Sequence, residues 1–212
     1  MSSPETPTDF DSEVIDALSG ASIEALTNLA AGAIRDALLP QSAPNNSGRF
    51  LDLSELDHQG ACFVTLRQGA ALRGCIGTLE PHCSLREDVS RNAYFAAFED
   101  PRFAPLQVSE LGATHVSVSV LSPFEELSFR SEAALLELLV PGRHGLVIAH
   151  AQSRATYLPS VWEELPQPVA FLESLKDKAG ISRDAPSSEL RAWRYTTQHG
   201  NAVPITVEAD NA

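Results

Sequence analysis

The residues best suited to chemistry lie in one heptad, Leu72-Arg73-Gly74-Cys75-Ile76-Gly77-Thr78. Side chains alternate along an extended strand, so one face of this segment carries Arg73, Cys75 and Gly77. A guanidinium near a thiol favours the thiolate, which is the form of cysteine that reacts. Gly74 and Gly77 let another group or a ligand approach the backbone closely. The heptad therefore predicts either a reactive cysteine beside a ligand-binding arginine, or a buried apolar cysteine beside a surface charge.

Three further positions carry polar groups that suit a binding or catalytic site. His144 is interpreted either as a general base or ligand donor near Cys75, or as a turn histidine bonded to the backbone. Arg102 follows Asp100 by two residues and forms either a local ion pair or, with the arginine of the heptad, a bidentate anion site. Thr156 offers a hydroxyl to a ligand.

The cysteines number three, Cys62, Cys75 and Cys83, and no Cys-x-x-Cys spacing occurs. An odd count without a secretory signal indicates reduced thiols rather than disulfides. The histidines show no pair at helical spacing, so no metal site is predicted. Glycine-rich phosphate loops, nucleophile-elbow serines and dinucleotide fingerprints are missing from the sequence, which leaves the cofactor, if any, unknown.

Composition limits the classes of partner. The chain has 212 residues, of which 43% are hydrophobic and 20% charged, as expected of a soluble protein with a core. Its 15 basic and 28 acidic residues give a net charge of −13, which disfavours nucleic acids and anionic membranes as partners. Met1–Asp9 lacks the order of a signal peptide, so we expect a cytoplasmic protein.

The elements that must position these residues follow from apolar spacing, caps and prolines. Helices are predicted at residues 22–38, 84–98, 131–139 and 169–179, with a short helical piece near Trp162. Strands are predicted at 61–66, 71–78, 114–121, 127–129, 145–149, 154–158, 193–197 and 205–207. Strand pairs interrupted by single helices favour an α+β fold with a mainly antiparallel sheet and flanking helices. We expect residues 1–20 and 209–212 to be tails around a domain at 21–208.

The heptad resembles the signature of the AMMECR family, named for the AMME chromosomal region. Six further segments match family motifs in the same order: Gly60–Leu66, Phe98–Phe103, Val116–Pro123, Gly142–Leu146, Ala155–Pro159 and Lys178–Gly180. The resemblance runs from about residue 22 to 207. Ala104 departs from the pattern where many members carry proline. Lys176 replaces a cysteine of many prokaryotic members, which leaves Cys75 as the motif thiol.

The resemblance implies an α+β fold with a larger and a smaller lobe forming a cleft, near which the motif residues gather. It implies no established activity. Prokaryotic relatives are associated with a Memo-like protein and a radical-SAM protein, as component A of a three-part system. Partners of these two kinds are therefore expected, whereas nucleic acid and membrane are not.

Two hypotheses follow from the residues and the resemblance. In the first, the chain binds a small anionic or carbonyl-bearing ligand, and Cys75 reacts with the assistance of His144. The ligand-binding residues would be Arg73, Gly74, Gly77, Arg102 and Thr156. In the second, the chain is a non-catalytic adaptor that docks a Memo-like or radical-SAM partner through the same motif.

Overall fold

The computed structural model describes residues 18–40 and 54–206. The described residues fall into two compact units. The first unit comprises residues 18–40, 54–121 and 198–206, and the second unit is Ser122–Thr197. The predicted N-terminal tail lies outside the described residues up to residue 17, and the C-terminal tail lies entirely outside them.

Within these ranges the α-helices are α1 (Gly20–Leu38), α2 (Leu85–Phe98), α3 (Glu132–Glu137) and α4 (Pro168–Ala179). The strands are β1 (Cys62–Gln68), β2 (Ala71–Gly77), β3 (Thr114–Leu121), β4 (Glu125–Glu126), β5 (Gly145–His150), β6 (Ser153–Tyr157), β7 (Arg191–Tyr195), β8 (Thr197–His199) and β9 (Val203–Pro204). Short 3₁₀ turns occur between them, including Val108–Ala113. None of the helices in the described ranges is both long and apolar enough to cross a bilayer.

The first unit is a sheet in the order β2-β1-β3-β8, with β9 also paired to β3. β1 pairs antiparallel with both β2 and β3. The alternation along β1 and β3 sends one set of side chains into the core beneath α1 and α2, namely Val64, Leu66, Val116, Val118 and Val120. The opposite face carries the half-buried Thr65 and Ser117. One face of this sheet is therefore packed on helices and the other is polar.

The second unit is a sheet in the order β4-β7-β5-β6, whose strands pair antiparallel. Its core includes Leu146, Ile148 and Leu175, together with the rings of Trp162 and Phe171, which stack at 3.7 Å. The mixture of helices and antiparallel sheets confirms the predicted α+β class.

Some element boundaries differ from the sequence prediction. α1 begins at Gly20 rather than Ser22, because the Ser19 hydroxyl accepts a hydrogen bond from the Ser22 N–H at 3.1 Å and caps the helix. The pairing predicted for 127–129 occurs instead at β4, directly before it. The predicted strand 193–197 divides at Thr196, since β7 and β8 belong to different sheets.

Candidate functional site

The two glycines of the heptad allow close packing on both faces of β2. A Cβ at Gly74 would lie 2.1 Å from the backbone oxygen of Ala96, so α2 sits directly on the strand at this point. A Cβ at Gly77 would lie 2.3 Å from the ring of Phe63. The groups that approach Gly74 and Gly77 are thus parts of the protein itself. Neither position offers space for a ligand at the place a side chain would occupy.

Cys75 is held through its backbone by an Asp–Arg pair. β2 is an edge strand, and at Cys75 the N–H and C=O point away from β1, toward the open edge. The N–H donates to Oδ2 of Asp100 at 2.9 Å, and the C=O accepts from Nη2 of Arg102 at 3.0 Å. Together these side chains occupy the hydrogen-bonding positions that a neighbouring strand would fill. We call Asp100 and Arg102 the edge clamp.

The edge clamp is itself a strong ion pair. Arg102 Nη2 lies 2.7 Å from Asp100 Oδ2, and Arg102 Nε donates to Oδ1 at 2.9 Å. The hydrogen bond from the Arg102 side chain, together with those from the backbone N–H groups of Cys75 and Arg102, lowers the pKa of Asp100 to about 2, against burial. The carboxylate stays ionised and fixes the Cys75 peptide.

The thiol of Cys75 is half-buried and lies next to polar groups. Thr65 faces Cys75 across β1 and β2, and its hydroxyl donates to Sγ at 3.5 Å. The pKa of Arg102 is raised, chiefly by its hydrogen bond to Asp100 and in smaller part by the side chain of Cys75. Arg102 contacts Cys75 through the carbonyl of that residue.

Arg73 forms an ion pair with Glu110. Its Nε and Nη2 donate to the two carboxylate oxygens at 2.9 and 3.1 Å, and Nη2 also donates to the carbonyl of Ala104 at 2.9 Å. The hydrogen bond from Arg73 lowers the pKa of Glu110 to about 2, against burial. A shift of the β1–β2 register between Leu66 and Arg67 accompanies this arrangement.

One nitrogen of Arg73 has no partner. Nη1 is buried and makes no hydrogen bond, and it is the one side-chain nitrogen or oxygen in this state among the described residues. The guanidinium carbon of Arg73 lies 5.9 Å from the centre of the Phe103 ring, and that of Arg102 lies 5.5 Å from it. The ring therefore contacts the two cations that accompany Cys75.

His144 and Thr156 belong to the second unit, whereas Arg73, Cys75 and Arg102 belong to the first. Nδ1 of His144 accepts a hydrogen bond from the N–H of Val140 at 3.0 Å, as in the turn interpretation. Burial lowers the pKa of His144, and Arg194 and Arg143 add to the effect.

The Thr156 side chain is engaged inside the second unit. Its hydroxyl donates to the carbonyl of Leu146 at 3.0 Å and lies 2.9 Å from the hydroxyl of Tyr195. Thr156 is buried, so its hydroxyl serves the packing of this sheet. In the part of the chain that the structure describes, no cluster of three or more His, Cys, Asp or Glu side chains is arranged to hold a metal ion.

The two antiparallel sheets with flanking helices define a protein of the α+β class. Comparison with known proteins gives the family: the AMMECR1 model matches residues 27–199, and the chain belongs to the AMMECR1 family.

Relatives of the chain are found among archaea. A protein of Caldivirga maquilingensis is 42% identical over 142 residues, which cover 63% of this chain and 63% of that protein. A protein of Thermofilum pendens is 34% identical over 161 residues, which cover 75% of this chain and 74% of the relative. The match thus spans less than two thirds of the Caldivirga protein.

A solved structure shows the same fold. The crystal structure of the uncharacterized protein PH0010 from Pyrococcus horikoshii superposes with a TM-score of 0.75 at 28% sequence identity. The superposition covers 86% of this chain and 95% of the Pyrococcus chain. The similarity therefore extends over nearly the whole of that structure.

Proposed function

We propose that the chain binds a small ligand with a carbonyl or anionic oxygen beside Cys75 in the first unit. The buried, unpartnered Nη1 of Arg73 carries this proposal. Buried nitrogens in folded proteins nearly always have a hydrogen-bond partner, and an exception calls for an acceptor such as a ligand oxygen or a water. The orphaned N–H belongs to a guanidinium that is already fixed by Glu110, so it is a donor held in place before any ligand arrives.

The environment of Cys75 supports a reaction at the sulfur. The edge clamp fixes its peptide through the N–H and the C=O, and the Thr65 hydroxyl donates to Sγ at 3.5 Å. With a carbonyl ligand, a bond forms between sulfur and the carbonyl carbon. The π pair of the C=O bond moves to the oxygen, which takes up the proton lost by the thiol. A pathway shared with Memo-like and radical-SAM proteins is part of the same proposal.

Alkylation of the native protein tests the thiol. We expect Cys75 to react with iodoacetamide faster than Cys83 and Cys62 at neutral pH. Burial raises the pKa of both other thiols, and Asp88 raises them further. Peptide mass spectrometry after brief treatment gives the three rates, with the Cys75→Ser variant as the control for assignment. Cys75 as the slowest of the three would refute the reactive-thiol part of the proposal.

Protection experiments test the ligand. A panel of 2-oxo acids, which carry both a carbonyl and a carboxylate, is added before iodoacetamide. We expect at least one member to slow the modification of Cys75 in a saturable way, without changing the rate at Cys83. If Cys75 is reactive but no member of the panel protects it, the thiol assignment stands and the proposed ligand class is wrong.

The adaptor function remains the second candidate, and exposed aromatic side chains on α2 favour it. Tyr94 and Phe95 are 44% and 38% exposed, and the Tyr94 ring lies 4.9 Å from that of Phe98. Exposed aromatic groups are enriched in protein interfaces. Co-purification with the Memo-like and radical-SAM proteins of the same genome tests this function, and the double variant Tyr94→Ser, Phe95→Ser should abolish it. Failure to bind either protein over a range of salt concentrations would exclude docking of these two partners.

A further inference from the structure

A tight turn in the second unit holds His144 in one orientation. The carbonyl of Val140 accepts hydrogen bonds from the N–H groups of Arg143 and His144 at 3.1 and 3.0 Å. The N–H of Val140 in turn donates to Nδ1 of His144 at 3.0 Å. Gly142 has a φ of +77°, a conformation that favours glycine. The three hydrogen bonds of Val140 thus fix both the backbone of the turn and the imidazole ring.

This geometry determines which nitrogen carries the proton. Because Nδ1 accepts a hydrogen bond, the neutral ring has its proton on Nε2. Burial lowers the pKa of His144, as do the cations Arg194 and Arg143, whereas Glu125 opposes them to a smaller degree. The ring is therefore neutral at physiological pH. Its outer nitrogen is a hydrogen-bond donor, which favours the ligand-donor interpretation of His144 over the general base.

The donor is available to an external group. Nε2 has no hydrogen-bond partner among the described residues, and 9% of the surface of His144 stays exposed. Arg143 lies next to it in the turn and is exposed. Within the described ranges no carboxylate forms an ion pair with Arg143, whereas Arg194 is paired with Glu125 at 2.7 Å. The turn therefore combines one fixed neutral donor with one uncompensated positive charge.

We propose that the turn from Val140 to His144 is a binding site for an oxyanion, a carboxylate or phosphate group. The Nε2–H of His144 donates to one oxygen of the anion, and the Arg143 guanidinium neutralises its charge. The site rests on the second unit alone and is independent of the chemistry proposed at Cys75. A neutral donor suits this task because it binds the anion without taking up a proton.

Histidine NMR of the full-length ¹⁵N-labelled protein tests the proposal. The signals of His144 are assigned with the His144→Gln variant, and His150, which contacts Glu189, is the internal control. We expect His144 to be the neutral Nε2–H form at pH 7.5 and to have a pKa below the ordinary histidine value. Inorganic phosphate and acetate, added separately at constant ionic strength, should shift the His144 signals in a saturable way, and whichever binds more tightly identifies the oxyanion.

The Arg143→Gln variant separates anion binding from the state of the ring. We expect it to keep the Nε2–H form and to weaken the binding of phosphate or acetate by about tenfold, the effect of losing one charge-assisted hydrogen bond. A ring protonated on Nδ1, or charged at pH 7.5, would overturn the donor assignment. The correct ring form without a saturable shift by either anion, or with a shift equal to that of His150, would overturn the anion site.

Discussion

Replacing Asp100 by Asn removes the negative charge of the edge clamp while keeping the shape of the side chain. The carboxylate accepts hydrogen bonds from the N–H of Cys75 and from the backbone N–H, Nε and Nη2 of Arg102. An amide can accept only through its one oxygen, and its NH₂ group would face the donors of the guanidinium. The substitution therefore weakens the pair and frees part of the Cys75 backbone.

The depressed pKa of Asp100 limits how much stability the substitution can remove. It falls from an ordinary 3.8 to about 2, and at about 1.4 kcal/mol per pH unit this corresponds to at most about 2–3 kcal/mol. The Asp100 side chain is 2% exposed but that of Arg102 is 53% exposed. Because solvent screens the half-exposed partner, we expect Asp100→Asn to lower the free energy of unfolding by about 1–2 kcal/mol at pH 7.

The contribution of Asp100 to the stability of the fold depends on pH. A carboxyl whose folded pKa lies below its unfolded value stabilises the protein above about pH 4, and this contribution is lost as the pH falls toward 2. The difference in unfolding free energy between wild type and Asp100→Asn should therefore decrease as the pH falls, to about half its pH 7 value at pH 3.

Urea unfolding at pH 7, 4 and 3 measures this difference. Asp177→Asn is the matched control, since Asp177 also pairs with an arginine, Arg183, but both side chains are more than half exposed. We expect a much smaller effect from the control. Hydrogen exchange should also show faster exchange of the Cys75 amide in Asp100→Asn. A difference from wild type that is the same at pH 7 and pH 3, or a control that loses as much stability, would refute the reasoning.

Two further substitutions test the packing and the ion pair around the heptad. Gly74→Ala should lower the unfolding free energy measured in urea by about 1–3 kcal/mol, because its Cβ would meet the backbone oxygen of Ala96 in α2 at 2.1 Å. Gly112→Ala is the control, since no atom lies within 4 Å of its Cβ. Equal losses of stability in the two variants would contradict the argument. Arg73→Lys should lower the unfolding free energy by about 1–3 kcal/mol, since an ammonium cannot reproduce the two-nitrogen contact with Glu110. A variant as stable as the wild type in the same measurement would show that this two-nitrogen contact does not stabilise the fold.

Much of the fold can be predicted because the spacing of apolar residues indicates which side chains are buried. The alternation from Thr114 to Leu121 predicts the strand β3 with its observed limits. The spacing in 84–98 likewise predicts α2, which Ser84 caps through its hydroxyl. The shortest elements, such as β4 at Glu125–Glu126, have too few residues for a period to appear. Pairing with β7, a contact distant in sequence, defines β4.

The candidate site was less predictable, because its key contacts join distant parts of the chain. The local ion pair of Asp100 and Arg102 follows from their spacing, but its attachment to Cys75 depends on how the loop folds back onto β2. Glu110, the partner of Arg73, lies 37 residues further along the chain, and no local pattern marks it. Thr65 could have been found, since pairing the hairpin strands places it opposite Cys75.

The edge clamp also bears on how copies of this chain behave toward one another. An edge strand with free backbone groups can pair with a strand from another molecule and so begin aggregation. In β2 the outward N–H and C=O of Cys75 are already taken by Asp100 and Arg102. A side-chain pair cannot be extended by further strands, so it ends the sheet at this point. Asp100 and Arg102 thus also prevent a strand from another molecule from pairing with β2 at Cys75.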